Sequence, residues 1–413
     1  MPPGASLWDN VRVVRSATNR LCLCSRLVAT GLRLVVLGTA AAALGSGLAG
    51  CGANDRSSAA APLETARAAA AATTPTSTAS TSAPAGTTAR RSTVPARPDD
   101  SAPATTEVTF LAVGDILLSR LVAARIAEHA DPLLPFRPMA EVFGSVDFCV
   151  GNLEAPFSGR SGFSTSSANI FNAPPENVRG LRESHFKVLG LANNHMLDQG
   201  LAGLRFTLSH LGEQGIATFG VGETEDEAWR GTVLDVRGVR IGFVGASYAS
   251  VNDNGKLRNG YVARIEDERR LAAALARLRS EADFVVATMH AGAEYNPQVV
   301  PTEERFAHRA VELGADLVLG AHPHVLHRVE KYRGKYVFYS LGNFIFDHEP
   351  LPRRQGLALR IHLRRARSSP ATLERIELLP VVIEDHSTPR LGTAAEASAI
   401  LASIGLTDST LGP

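Results

Sequence analysis

The sequence lacks an excess of charge of either sign, and this limits the partners that it is expected to bind. Lysine and arginine together number 42 and aspartate and glutamate 41 in 413 residues. Residues 107–413 contain 32 basic and 36 acidic residues. A domain that binds nucleic acid usually concentrates basic residues on one surface. The composition therefore argues against nucleic acid as a partner.

The N-terminal region also lacks a long apolar run, and it contains a short one instead. Five arginines between Arg12 and Arg33 precede an apolar stretch rich in glycine and alanine that ends at Leu48-Ala49-Gly50-Cys51. This stretch is short and rich in glycine for a membrane span, and its order of basic, apolar and small residues is typical of an export signal. Its last four residues match the bacterial lipobox. We expect residues 1–50 to be a lipoprotein signal peptide and Cys51 to carry lipid, which would anchor the protein to the outer face of the cytoplasmic membrane, in the cell envelope. An ordinary signal peptide and an uncleaved anchor are the alternatives.

The segment that follows has few large apolar side chains. Residues 51–106 consist mostly of alanine, threonine, serine and proline. Such a composition cannot bury enough apolar surface to offset the entropy of ordering. We interpret 51–106 as a disordered tether that begins at the lipidated Cys51, and a flexible coil of this length spans roughly 40 Å.

Cysteine is scarce as well, which excludes a disulfide framework. Cys22 and Cys24 lie in the export segment and Cys51 is the expected lipid site, so Cys149 is the one cysteine of the region predicted to fold. One cysteine cannot form an intramolecular disulfide. We expect Cys149 to be a small buried side chain on a strand.

From Glu107 onwards, short apolar runs alternate with helical patterns. This alternation predicts an α/β fold with mostly parallel pairing. The last strands, near 325–331, 335–341, 356–364 and 372–383, have no helices between them and are expected to be antiparallel. Two mixed sheets with helices outside, a four-layer α/β/β/α sandwich, fit this order. We assign 107–386 to the folded domain and 387–413 to a C-terminal tail with a short helix.

Polar residues collect where the predicted strands end. Ligands bind at the carboxyl ends of the strands in open α/β sheets. Carboxylates, amide oxygens and imidazoles together suit one or two ions such as Mn, Fe or Zn. Each residue alone has an ordinary structural interpretation, for example a turn at Gly114-Asp115, but their joint occurrence predicts one shared site. The candidates are Asp115, Asn152, Glu154, Asn193, Asn194, His195, His290, His322, His324 and Asn343.

These blocks, in this order, are similar to the series found in calcineurin-like metallophosphatases. More closely, the chain resembles the CapA-type poly-γ-glutamate capsule biosynthesis family. The resemblance covers nearly all of 107–350 and rests on five short motifs. These are Asn152-Leu153-Glu154, Asn193-Asn194-His195, His290-Ala291-Gly292-Ala293-Glu294-Tyr295, His322-Pro323-His324 and Ser340-Leu341-Gly342-Asn343-Phe344.

The resemblance implies a calcineurin-like metallophosphatase fold and a role for each candidate. Asp115 and His324 would hold a first metal ion, whereas Asn194, His290 and His322 would hold a second. His195 would be a catalytic residue beside the metals that does not bind them. Glu294 and Tyr295 would contact substrate or support the metal ligands, or else lie in solvent, and Asn343 would line the site or cap a turn.

Two positions depart from the phosphatase pattern. Leu117 stands where phosphatases of this kind have a histidine ligand, and Asn152 stands where they have a bridging aspartate. Glu154, two residues further along an extended segment, points to the same side as Asn152 and can replace the bridge. These departures put ordinary phosphatase activity in doubt. They also leave open whether one or two metal ions bind.

The resemblance implies a function in the synthesis, export or retention of poly-γ-glutamate or a related anionic envelope polymer. One hypothesis is a metal-dependent hydrolase or transferase. The other is a non-catalytic surface factor that binds the polymer or a membrane synthase complex, with a structural or vestigial metal site. The arginine-rich segment 353–366 either meets the anionic polymer or forms a solvated strand face.

Overall fold

A computed structural model of the chain describes residues 105–160, 169–248, 260–367 and 369–413. The predicted signal peptide, Cys51 and almost all of the predicted tether lie outside these ranges. Within them, no helix combines the length and the apolar character that a membrane span requires.

The described residues form strands that alternate with helices over most of the chain. In chain order the strands are β1 (Thr105–Ile116), β2 (Phe148–Leu153), β3 (Phe186–Gly190), β4 (Ala217–Phe219), β5 (Thr232–Val236), β6 (Val239–Ser247), β7 (Phe284–His290), β8 (Leu317–Ala321), β9 (Val329–Tyr332), β10 (Lys335–Phe338), β11 (Asn343–Ile345), β12 (Gln355–Ala366), β13 (Thr372–Glu384), β14 (Thr388–Leu391) and β15 (Thr410–Leu411). The α-helices are α1 (Arg120–His129), α2 (Ala140–Gly144), α3 (Val178–Glu183), α4 (Gly200–Glu213), α5 (Glu225–Arg230), α6 (Glu268–Glu281), α7 (Pro301–Glu312), α8 (Leu351–Arg354) and α9 (Ala394–Ser403).

The strands form two mixed sheets. The first has the order β14-β13-β12-β1-β2-β3-β4, with β11 beside β1 and β15 beside β13. Its members β1 to β4 are parallel, whereas β12, β13 and β14 are antiparallel to their neighbours. The second sheet has the order β5-β6-β7-β8-β10-β9. The expectation that the late strands are antiparallel is correct for β12 and β13 and for the hairpin of β9 and β10, but β10 also pairs with β8 on its other side, and that pairing is parallel.

The core between the sheets is built from aromatic and branched side chains of both. Phe110 of β1 stacks on Phe148 of β2 with ring centroids 5.0 Å apart, and Phe243 of the second sheet meets Phe110 edge-on at 6.5 Å. Helices cover the outer faces: α6, for example, buries Leu271 and Leu275, one turn apart, against the second sheet. The predicted four-layer α/β/β/α sandwich is therefore confirmed.

The last residues of the chain extend the first sheet. The sequence assigns 387–413 to a tail with a short helix, and α9 matches that helix. However, β14 pairs with β13 along one edge and β15 pairs with β13 further along the strand. The two strands were not recognised because four and two residues are too few to show a periodic pattern.

Candidate metal centre

The polar residues at the predicted strand ends meet at one edge of the two sheets. Parallel pairing of β1 with β2 puts Asp115 beside Asn152, and β11 brings Asn343 to the other side of Asp115. From the second sheet, the backbone N–H of His322 donates to Oδ2 of Asp115 at 3.1 Å. Residues of both sheets therefore face one another across Asp115.

Glu154 lies at the centre of this group. Its side chain is fully buried, and neither carboxylate oxygen has a hydrogen-bond partner. Its Oε1 lies 3.9 Å from Nε2 of His195, 3.9 Å from Nε2 of His290 and 3.7 Å from Nε2 of His324. These distances are too long for hydrogen bonds. A buried carboxylate without a partner destabilises the fold, so a cation bound beside Glu154 would be stabilising.

Two groups of possible ligands share Glu154. One consists of Asp115, Glu154 and His324, and the other of Glu154, His290 and His322, with the ligand atoms of each group within 4.8 Å of one another. Atoms bound at about 2.0–2.2 Å to one ion lie roughly three to four ångströms apart. Glu154 is therefore the carboxylate that these two groups have in common.

Two of the imidazoles favour the neutral form, which has a lone pair that can bind a metal ion. Burial lowers the pKa of His290 and of His322 well below the usual range, and the neighbouring imidazoles add to this effect. Nδ1 of His322 is buried and has no hydrogen-bond partner. Burial also opposes charge on His324, but the carboxylates of Glu154 and Asp115 outweigh it and raise the pKa of His324 to about 9. Burial, together with Asp115, raises the pKa of Glu154 well above its usual range.

The His-Pro-His segment holds its imidazoles through a strained backbone. His322 has φ of 101° and His324 has φ of 58°. Residues other than glycine adopt such angles rarely, and they do so mostly at functional sites. The strain turns both side chains towards the carboxylates.

Three asparagines connect the possible ligands. Asn152 donates through Nδ2 to Oδ1 of Asp115 at 2.8 Å, while its Oδ1 accepts from Asn193 at 3.1 Å. In this arrangement the amide of Asn152 orients Asp115. Oδ1 of Asn194 lies 2.8 Å from Nε2 of His290 and accepts its hydrogen bond, so these two possible ligands are adjacent.

His195 is held in place beside the cluster. Its ring stacks on Phe171 with centroids 3.7 Å apart, and its Nδ1–H donates to Oδ2 of Asp198 at 2.8 Å. Its Nε2 consequently faces Glu154. Burial raises the pKa of Asp198, and the bond from His195 opposes that rise. Sequence reasoning missed Asp198, although its spacing of three residues from His195 was a usable signal.

A cavity of about 230 Å³ opens above His195 and His324. Glu294 and Tyr295 lie on its rim and are exposed, and their role stays a prediction. Asn343 lines the site: it is fully buried, and its Oδ1 lies 2.9 Å from Nδ1 of His324. Burial, together with His324, lowers the pKa of His348 on the same wall to about 2.

The donor set fits a transition metal. Carboxylates of Asp115 and Glu154, imidazoles and the amide oxygen of Asn194 suit Mn, Fe or Zn. The unpartnered Glu154 oxygens and the unpartnered Nδ1 of His322 are what an ion would satisfy. Leu117, which stands in place of the histidine of the first block, is fully buried in an apolar cluster and offers no ligand atom.

Comparisons with known proteins find relatives of this chain. The CapA of Bacillus subtilis (strain 168), a PGA biosynthesis protein, is 29% identical over 279 residues, which cover 67% of this chain and 72% of the relative. The capsule biosynthesis protein CapA of Bacillus anthracis is 30% identical over 268 residues, covering 62% of this chain and 64% of the relative. A solved 5′-nucleotidase precursor from Thermus thermophilus is 16% identical, with coverage of 72% and 58% and a TM-score of 0.39. The model of the bacterial capsule synthesis protein family PGA_cap matches residues 109–348. Because this match spans more than half of the chain, the protein belongs to the PGA_cap family of bacterial capsule synthesis proteins.

Proposed function

We propose that the protein acts in the synthesis, export or retention of poly-γ-glutamate or a related anionic envelope polymer, as a metal-dependent hydrolase or transferase. Family membership and the names of the Bacillus relatives support the choice of polymer. The observation that carries the catalytic part is Glu154, a fully buried carboxylate without a hydrogen-bond partner that three imidazoles surround.

The residues divide into those that would hold metal and those that would act on substrate. Asp115, Glu154 and His324 would form one binding position, and Glu154, His290, His322 and Asn194 the other. A bound ion would supply Lewis acidity and lower the pKa of a water molecule. His195, whose Nε2 faces the cluster, would donate a proton to the leaving group of a phosphoester or amide bond. Asp198 keeps that nitrogen directed towards the site.

The test is turnover by the purified full chain in detergent. After loading with Mn(II), Fe(II) or Zn(II), the protein should shorten poly-γ-glutamate, which size-exclusion chromatography would record. The metal-free protein should leave the polymer length unchanged. If no metal-loaded form changes this polymer or a panel of phosphoesters, the catalytic part of the proposal fails.

A second candidate function is a non-catalytic surface factor that binds the polymer or a membrane synthase complex. Leu117 favours it, because the first metal position lacks the histidine that related phosphatases use there, and a leucine in the apolar core cannot replace it. Retention of polymer on the immobilised chain, without any shortening, would support this function.

We further propose that a lipid on Cys51 anchors the chain to the outer face of the cytoplasmic membrane. The lipobox sequence supports this proposal. Two acyl chains bury many methylene groups at about 0.8 kcal/mol each, which makes anchoring stable. Cys51→Ser should block processing or release the chain from the membrane fraction, whereas Cys24→Ser should change neither. Unchanged fractionation of Cys51→Ser, together with a wild type that carries no lipid by mass spectrometry, would contradict the anchor.

A further inference from the structure

The cavity above the metal centre has a buried arginine in its wall. Arg120 is 9% exposed and lines the cavity. Its Nε donates to Oδ2 of Asp347 at 3.1 Å, and its Nη2 donates to Oδ1 of the same carboxylate. Phe171 and Phe346 both lie beside the guanidinium, with ring centroids at 4.9 and 5.3 Å. The plane of the fork is therefore fixed.

Part of this guanidinium is left to bind a ligand. Among the described residues, Nη1 of Arg120 has no hydrogen-bond acceptor. This nitrogen is also not fully enclosed by protein atoms. Its donors therefore open to the cavity. Arg120 has φ of 50°, an unfavourable angle for a residue with a side chain. The chain thus keeps a strained backbone and a buried charge at this point of the wall.

A second arginine stacks on Tyr295, which lies on the rim of the cavity. The guanidinium carbon of Arg353 lies 3.4 Å from the ring centroid of Tyr295. Within the described part of the chain, no carboxylate forms an ion pair with Arg353, whereas Arg360 of the same arginine-rich segment pairs with Glu377 at 2.7 Å. Glu294 also lies on this rim, but it is exposed, and solvent screens its repulsion.

We propose that Arg120 and Arg353 form a carboxylate-binding subsite that holds a free carboxylate of an acidic chain beside the metal centre. The inference rests on the proposed function, since it assigns the part of an acidic polymer that this cavity recognises. A guanidinium presents donors in a planar fork that matches a carboxylate. Phe171, Phe346 and Tyr295 offer apolar surface to the methylene groups between successive carboxylates.

The experiment measures binding and does not depend on turnover. The purified full chain, loaded with Mn(II), is titrated by calorimetry with a γ-linked pentaglutamate and with the same peptide carrying amides in place of its free α-carboxylates. The wild type should bind the acidic peptide about 10- to 100-fold more tightly, as expected for hydrogen bonds to a charged group. Arg353→Gln should remove most of this preference while leaving the affinity for the amidated peptide and the metal content unchanged.

Arg120 requires a paired substitution, because its removal alone would leave Asp347 buried and unpaired. The double variant Arg120→Gln, Asp347→Asn keeps a neutral hydrogen-bonding pair and should also lose the preference. Arg125→Gln is the matched control: it lies on the same helix but pairs with Glu128 on the exposed side, and its preference should equal that of the wild type.

Three outcomes would overturn the subsite. The first is equal binding of the two peptides by the wild type, and the second is a preference that survives both arginine variants. The third is that binding of inorganic phosphate depends on the two arginines whereas binding of the acidic peptide does not. That result would make the two arginines a phosphate site. A chain that prefers the acidic peptide but hydrolyses nothing would support the subsite and refute the hydrolase, whereas hydrolysis without preference would do the reverse.

Discussion

Glu154→Gln should abolish the stabilisation of the protein by metal ions. A ligand at a hundred times its Kd stabilises the folded state by about 2.7 kcal/mol, which corresponds to a rise in Tm of roughly 4 °C for a domain of about 300 residues. The wild type should show this rise with Mn(II), Fe(II) or Zn(II) and lose it with a chelator. Glutamine cannot supply the charge that both ligand groups share, so the variant should show no rise.

Without metal, Glu154→Gln should have a different effect on Tm. Glu154 is a buried carboxylate with no hydrogen-bond partner, and replacing it with a neutral amide removes an unfavourable desolvation. Metal-free Glu154→Gln should therefore melt no lower than the metal-free wild type. Differential scanning calorimetry of both forms measures the two effects together.

Glu303→Gln is the matched control for Glu154. Glu303 is also fully buried beside an imidazole, with Oε1 3.2 Å from Nδ1 of His327, but it accepts a hydrogen bond from the backbone of Val300 and lies outside the cluster. Its variant should keep the full metal-induced rise in Tm, because an amide oxygen can still accept from Val300 and no possible metal ligand is changed. A wild type whose Tm ignores both chelator and added metal would contradict the metal centre.

The loss of His195 should separate catalysis from metal binding. A group that transfers a proton in the transition state typically accelerates a reaction about 10²- to 10⁴-fold. His195→Ala should lose that factor in the rate of polymer shortening while elemental analysis finds the wild-type metal content. His129→Gln is the control, since His129 is exposed at the end of α1 and hydrogen-bonds the carbonyl of Arg125; its rate should be unchanged.

Asp198 tests the orientation of the same imidazole. Residues that orient a catalytic or metal-bound histidine typically contribute about 10- to 100-fold, so Asp198→Asn should reduce the rate by less than His195→Ala does. The double variant should be no slower than His195→Ala alone, because Asp198 acts through that ring. If His195→Ala lost metal along with activity, His195 would be a ligand, and its catalytic assignment would be wrong.

Local sequence was sufficient for most of the architecture. Apolar runs of strand length and helical periodicities fixed the alternation of elements, because each element must bury one face. The strand ends that carry Asp115, His290 and His322 followed directly, since parallel strands bring their carboxyl ends to one edge. Short elements such as β5, β11 and β15 were not predicted, because a few residues show no period.

Contacts between distant parts of the chain decided the rest. The sequence suggested Glu154 as a bridge, but only the fold surrounds it with imidazoles from both sheets and leaves it without a hydrogen bond. Arg120 and Asp347 are 227 positions apart, and no local pattern links them. By itself the sequence determined the sandwich, the family and the set of polar residues, because periodicity and motifs are local properties. The tertiary structure alone decided which carboxylate the imidazoles share and which arginine faces the cavity, because burial and charge pairing depend on neighbours that the chain brings together only by folding.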